Sequence, residues 1–487
     1  MSNKDQYKHI AKSTWIFGNA QVIVMISNII KTKCVALFIG TSGYGILSLY
    51  QSAIALISTI SNLGIGTSSI KDLAAAHASE DEKKVDKAIY LVKKLTFFTG
   101  IIGALLTILF SVQLSIFIFE SPHFWVGFCW LSIAILLNQL TSANTSILRG
   151  LRKNKKLAHA NITGALIGLA LSVPMYYFMG KEAIVPTLII SSLATFVRSW
   201  YYTKDIKVEP KHVEKINLLK EGKPMIIMGV MLSITTLFTI VKSLLIKLYI
   251  EKNGGIHEVG LYHSGFLILN SYLGIIFSIM SLDYFPNLSA NISNNQKARS
   301  IVNRQLVFGF SLILPLICIF LLLNPILIQL LFSKKFALIE GMLAFAVLGT
   351  LFKLIGWSQA YIILSKGDNR IYFWNELTGV IITLLISFAG YYWNGIDGLG
   401  IAYTVGFIYY ALQTHLICNI KYGNQIDFNT YSIFFLCSTI CISMFITVVI
   451  YPSILLSVIV LTLCLIYTVY LFLKMELIRN IKSIVRK

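Results

Sequence analysis

Five lysines lie inside long apolar runs of this sequence: Lys31, Lys33, Lys242, Lys247 and Lys353. A cation at the centre of a bilayer costs about 2.5–3.5 kcal/mol on insertion scales, so such a residue either snorkels to the interface or faces water and a ligand. Lined along a water-filled cavity, the five suit an anionic substrate such as a phosphate or pyrophosphate head group. The opposite chemistry is missing. None of the 21 Asp and Glu sits at the middle of an apolar run; Glu120, Asp283, Glu340 and Asp397 lie at ends, and Glu376 about one helical turn in. A cation-coupled drug antiporter ordinarily needs a buried carboxylate to hold its ion. The sequence has no GxxxxGK[ST] phosphate loop, no HExxH and no paired-carboxylate motif. The expectation is a transporter rather than an enzyme, with no cofactor and no metal.

Spacing sorts the lysines further. Lys31 and Lys33 are two residues apart and therefore about 200° apart around a helix. Lys31 shares a polar stripe with Gln21 and Asn28, which favours it for the cavity, and Lys33 is expected to snorkel. Snorkelling of both stays open. Lys242 shares a face with Thr235 and Thr239, and Lys247 lies nearer the outer end. Lys353 stands at four-residue spacing from Trp357 and Tyr361. That face suits a sugar ring over the aromatics with a cation beside it, or an internal cation–π pair. The run NQLTSANTSILRG places Asn138, Ser142, Thr145 and Arg149 on one face. In lipid such a stripe must meet water or neighbouring helices. The seven cysteines have no metal-type spacing and read as small packing residues.

The elements that must position these residues are transmembrane helices. Hydrophobic residues make up 56% of the 487 and charged residues 13%, against about 25% charged in soluble domains. Apolar runs of 18 or more residues recur end to end, which predicts an all-α polytopic membrane protein and excludes a barrel of short alternating strands. Fourteen spans are predicted: 14–39, 44–66, 95–119, 124–148, 161–180, 183–202, 225–250, 259–282, 305–323, 338–364, 372–392, 397–420, 430–451 and 453–473. The first reads as an uncleaved helix rather than a signal peptide. Of 41 Lys and Arg, four fall in outer loops (Lys181, Lys252, Lys334, Lys335), five are the lysines within spans, and the other 32 fall in segments on the other side. The positive-inside rule then puts both termini in the cytoplasm. It also explains the net charge of +20 without nucleic acid. Residues 71–94 read as an amphipathic surface helix.

A weak internal repeat is visible. Gly260 follows Gly45 by 215 residues, and Leu288 follows Leu73 by the same offset. The expected organisation is an N-lobe of six helices over 1–202, a cytoplasmic linker at 203–224, a C-lobe of six helices over 225–420, and two further helices with a basic tail at 421–487.

The segment ALFIGTSGYGILSLYQSAIALISTISNLGIGTSSIKDLA resembles the N-terminal hallmark of bacterial O-antigen and polysaccharide flippases of the MOP exporter superfamily. LRGLRKNKKLAHAN, VGLYHSG and YFPNLS are similar to the same family. The resemblance implies a V-shaped pair of lobes around a cationic cavity in the bacterial inner membrane. It implies alternating-access transfer of an undecaprenyl-pyrophosphate-linked oligosaccharide from the cytoplasmic to the periplasmic leaflet. It also implies a polysaccharide polymerase and a chain-length regulator as partners. Carried over by position, Lys31 and Lys242 are pyrophosphate contacts; Lys353 and Arg149 match more loosely, and Lys33 and Lys247 add to an outer cationic rim. A multidrug antiporter of the same superfamily is the alternative within transport; a membrane-embedded polymerase or glycosyltransferase is the alternative from another class.

Overall fold

A computed structural model describes residues 3–206, 208–209 and 217–474; of residues 3–21, 219, 272 and 282 it describes the backbone alone. The helices are α1 (Asn3–Asn62), α2 (Ile65–Ala78), α3 (Glu82–Leu109), α4 (Ser111–Phe119), α5 (Trp125–Gly150), α6 (Asn154–Met179), α7 (Ile184–Thr203), α8 (Leu218–Leu267), α9 (Gly274–Asn291), α10 (Asn295–Leu331), α11 (Glu340–Ser365), α12 (Asn369–Tyr422), α13 (Phe428–Phe445) and α14 (Ile454–Lys474). No strand occurs among the described residues.

Ten continuous segments of the described residues are long and apolar enough to span a bilayer. Four of them, Val22–Asn62, Asn154–Thr203, Lys220–Asn291 and Asn369–Tyr422, run 41 to 72 residues. At 1.5 Å per residue these far exceed a hydrocarbon core about 30 Å thick. Each contains a break. Gly40 sits at φ 64° in α1 and Gly255 at φ 80° in α8. A 3₁₀ turn at Gly180–Ala183 separates α6 from α7, and Asn394–Gly395 interrupts α12. Six unbroken segments and four broken ones make fourteen crossings, the number expected from hydropathy.

Contacts show that the chain reverses at the break in α12 and between α6 and α7. Across the α12 break, Gln413 lies 2.9 Å from the Asn375 carbonyl oxygen, and Lys421 bonds Asp368 at 2.9 Å. Residues far apart in sequence are therefore level in space. The Lys421 ammonium, with the Ile371 N–H, holds the Asp368 carboxyl below its usual range. Between α6 and α7, the Thr187 hydroxyl meets that of Tyr176 at 2.7 Å. In α1, Phe38 packs on Tyr177 near the Gly180 turn, whereas Ser146 bonds the Gly66 carbonyl oxygen at the opposite end. That opposite end is the basic face, where the Lys- and Arg-rich turns lie.

By packing, the chain divides into Met1–Gly260 and Leu261–Lys487. In the first unit, α2, α3 and α5 bury Ile65, Leu73, Val92 and Ile147 together with Met225 of α8. The expected single surface helix over 71–94 is instead two helices. Asp81 ends the turn between them by accepting the Lys83 and Lys84 N–H groups at 3.0 and 3.4 Å, an N-cap that restarts the chain as α3. Large apolar side chains such as Leu109, Phe178 and Ile454 stay 70–83% exposed, the condition of a surface that meets lipid.

A close crossing joins α1 and α8. A methyl group on Gly45 would overlap the Ile256 carbonyl oxygen, and one on Gly260 would overlap the Thr41 carbonyl oxygen. The two contacts are reciprocal at the 215-residue offset. Both backbones must shift to admit a side chain, so Gly45→Ala and Gly260→Ala are each expected to destabilise the protein by about 1–3 kcal/mol. Gly168→Ala, whose nearest neighbour would be 3.7 Å away, should leave the unfolding midpoint in detergent unchanged. Equal midpoints for all three variants would remove the close-approach argument.

Candidate functional site

In the first unit, Lys31 is held by the packing of α1 on α6 and α7. Its Nζ donates to Ser191 Oγ at 2.8 Å, and Ser191 Oγ in turn lies 3.2 Å from Ser172 Oγ. The side chain is half-buried. An ammonium carries three donors, and a single acceptor among the described residues leaves two for water or an anion. Asn28, one turn earlier on the same face, is exposed. Lys33 is half-buried and has an interaction partner of its own, as does half-buried Lys242 on α8. Thr239, beside Lys242, is exposed, and its hydroxyl bonds the Thr235 carbonyl oxygen at 3.2 Å.

Lys247 behaves differently. It is 4% exposed, and its Nζ donates to Ser52 Oγ at 2.8 Å and to the Ser48 carbonyl oxygen at 3.3 Å. Neither snorkelling nor a place on an open rim fits this position. The ammonium ties α8 to the second half of α1, next to the Gly45–Gly260 crossing.

In the second unit Lys353 makes an internal cation–π arrangement, one of its two expected roles, but with other rings than those expected. Its Nζ does not stack with Trp357 and Tyr361. It lies 5.3 Å from the Phe277 and Phe407 ring centroids and 5.9 Å from that of Tyr403, and donates to the Tyr403 hydroxyl at 3.3 Å. Three rings from α9 and α12 thus surround a cation from α11, a cation–π arrangement within the protein. Trp357 and Tyr361 pack instead on α9: Trp357 on Phe277 and Tyr284 at 5.6 and 5.4 Å, Tyr361 on Phe285 at 5.3 Å. Sequence spacing placed the three residues on one stripe of α11. It carried no signal for the rings of two other helices that fill the space.

Arg149 is exposed in the last turn of α5. The polar run before it is used for helix packing. Gln139 Nε2 donates to the Ser58 carbonyl oxygen and Ser61 Oγ at 2.9 and 3.0 Å, and Asn144 Nδ2 to Ser199 Oγ at 3.2 Å. Arg198 is anchored by Thr163 Oγ1 at 2.8 Å and the Tyr202 hydroxyl at 3.3 Å. Glu376, a carboxylate one turn inside its span, is the centre of a further cluster in the second unit. There Glu376 Oε1 accepts from the Tyr410 hydroxyl at 2.6 Å and Asn375 Nδ2 at 3.2 Å.

These placements separate Lys247, whose donors tie two helices together, from Lys31, which is half-buried and bonds a single hydroxyl among the described residues. Ser52→Ala leaves a buried Lys247 donor unpaired, at a cost of about 1–3 kcal/mol, and should lower the thermal unfolding midpoint. Lys31→Ala removes one hydrogen bond from a half-buried group and should leave the midpoint nearly in place. Reversal of that order would show Lys31 to be the structural residue.

Known proteins agree with this architecture. The family described as polysaccharide biosynthesis protein matches residues 10–292. The lipid III flippase of Escherichia coli (strain K12) is 22% identical over 409 residues, covering 81% of this chain and 94% of its own. The lipid III flippase of Shigella flexneri gives the same figures. Among solved structures, lipid II flippase MurJ in an inward closed conformation superposes with a TM-score of 0.69 at 14% identity, over 95% of this chain and 99% of its own. An inward-facing multidrug resistance MATE family transporter of the MOP superfamily gives 0.63 at 14% identity, over 84% and 95%. The chain is a multi-pass helical membrane protein that belongs to the polysaccharide biosynthesis protein family.

Proposed function

We propose that the protein is a flippase for a lipid-linked oligosaccharide, carrying an undecaprenyl-pyrophosphate-linked, O-antigen-like repeat unit across the bacterial inner membrane by alternating access. The observation that carries this reading is Lys31, a half-buried ammonium within a membrane span with one protein acceptor among the described residues, Ser191. Such a group attracts an anion where water is scarce, and a lysine suits phosphate as a compact point charge. The family match and the similarity to the lipid III flippase support the substrate class. Lys31 and Lys242 are the pyrophosphate contacts in this proposal. Arg149 is a looser contact at the basic face. Lys247 is left out because its donors go to Ser48 and Ser52. Lys353 serves through the aromatic faces around it.

The distribution of Lys and Arg supports a cytoplasmic basic face and cytoplasmic termini. The similarity to multidrug transporters supports the fold alone, and intramembrane cations disfavour export of cationic drugs.

Reconstitution tests the proposal. Purified protein in liposomes is given a lipid-pyrophosphate-linked oligosaccharide with a fluorescent sugar, and access of a membrane-impermeant quencher is followed in time. Protein-dependent equilibration across the bilayer is expected, with loss in Lys31→Ala plus Lys242→Ala. Full transfer by the double variant would remove the cationic site from the mechanism. Chemical change of the sugar in place of movement would favour a glycosyltransferase or polymerase.

A further inference from the structure

The second unit holds a cavity of about 1100 Å³ that the flippase reading does not use. Helices α9, α10 and α13 wall it, and Lys474 at the end of α14 closes one side. Each wall changes from polar to apolar in one direction, away from the basic face. On α10 it runs from Arg299, Asn303 and Arg304 to Val307, Phe308 and Leu312. On α9 it runs from Asn287 and Asp283 to Met280, Ile279 and Ile276. On α13 it runs from Asn429 and Thr430 to Ile433. From Arg304 to Leu312 is about 12 Å along the helix axis. A charged mouth over an apolar floor of that depth matches a phospholipid, with its head group at the mouth and the start of its acyl chains below.

The charges narrow the head group. Three cations and two anions line the cavity: Arg299, Arg304, Lys474, Asp283 and Asp427. Arg299 and Asp427 neutralise each other through contacts of 2.7 and 2.8 Å. Lys474 donates to the neutral Asn429 Oδ1 at 2.9 Å and pairs with no carboxylate among the described residues. Arg304 and Lys474 then face Asp283, a net charge of +1 that one phosphodiester balances. Arg304 is exposed and makes no hydrogen bond or ion pair among the described residues, and Gln305 Nε2 beside it has no acceptor. Arg304 and Gln305 Nε2 are thus uncommitted donors, and Asp283 can accept from head-group hydroxyls. Basic pockets between helices at a membrane face take anionic lipid head groups by this complementarity.

We propose that this cavity binds a phospholipid of the phosphatidylglycerol class from the leaflet at the basic face. Its phosphate rests on Arg304 and Lys474, its glycerol hydroxyls on Asp283, and its acyl chains along Ile279 and Leu312. In the test, delipidated full-length protein in detergent is titrated with dioleoylphosphatidylglycerol while thermal unfolding is followed. A saturable rise in melting temperature is expected, absent with dioleoylphosphatidylcholine, dioleoylphosphatidylethanolamine or glycerol 1-phosphate. Arg304→Gln should raise the half-maximal lipid concentration about tenfold, the loss of one charged hydrogen bond. Lys155→Gln, an exposed charge outside the cavity, should not. Leu312→Trp fills the apolar floor and should abolish the rise with the cations intact. The proposal is overturned by an unchanged response in both Arg304→Gln and Leu312→Trp, by equal stabilisation with phosphatidylcholine, or by a response to glycerol 1-phosphate alone. Preference for farnesyl phosphate over phosphatidylglycerol would overturn it too and assign the cavity to an isoprenyl phosphate.

Discussion

The crossing of α1 and α8 at Gly45 and Gly260 is the contact on which the first unit depends. Here two backbones touch without side chains between them. Helices in lipid gain little from the hydrophobic effect, so close packing and interhelical hydrogen bonds must hold them. The crossing supplies the first, and the Lys247 bonds to Ser48 and Ser52 supply the second a few residues away. Reciprocity makes the contact self-consistent. Gly40 and Gly255 break their helices at equivalent points of a 215-residue repeat, and the glycine five residues past each break, Gly45 or Gly260, meets the carbonyl one residue past the other break, Ile256 or Thr41. A local two-fold relation between repeats is a recurrent design of membrane transporters.

That frame decides what each intramembrane lysine does. A cation in a bilayer is tolerated where it finds acceptors, aromatic faces or water. Lys247 finds acceptors and is buried; Lys353 finds three aromatic rings; Lys31 finds one hydroxyl and keeps donors to spare. The same residue type therefore serves as a clamp, as the centre of an aromatic cage and as a candidate anion contact. Polar residues elsewhere are spent on packing, as Gln139, Asn144 and Arg198 show. This use follows from the absence of water as an alternative partner.

The lining of the second unit's cavity extends the principle to the membrane boundary. Its polar residues gather where α9 ends and α10 begins, and its apolar residues lie deeper. Arg299 and Asp427 satisfy one another, so the pair fixes the start of α13 against α10 and leaves Arg304 and Lys474 without a carboxylate among the described residues. Exposed apolar side chains on the remaining surface complete the picture of a protein solvated by lipid around its girth.

Hydropathy and charge distribution alone determined the helical membrane fold and the number of crossings, because a bilayer imposes length and composition on every span. The repeat offset of 215 residues was legible too, and so was the sign of the intramembrane charges. Which lysines are open was not. Lys31 meets Ser191 across 160 residues, and the rings around Lys353 come from Phe277, Tyr403 and Phe407. Helical spacing states which side chains share a face of one helix. It is silent on what stands opposite that face, because the partner belongs to another helix placed by packing. The roles of Lys31, Lys247 and Lys353 were therefore decided only when the chain folded.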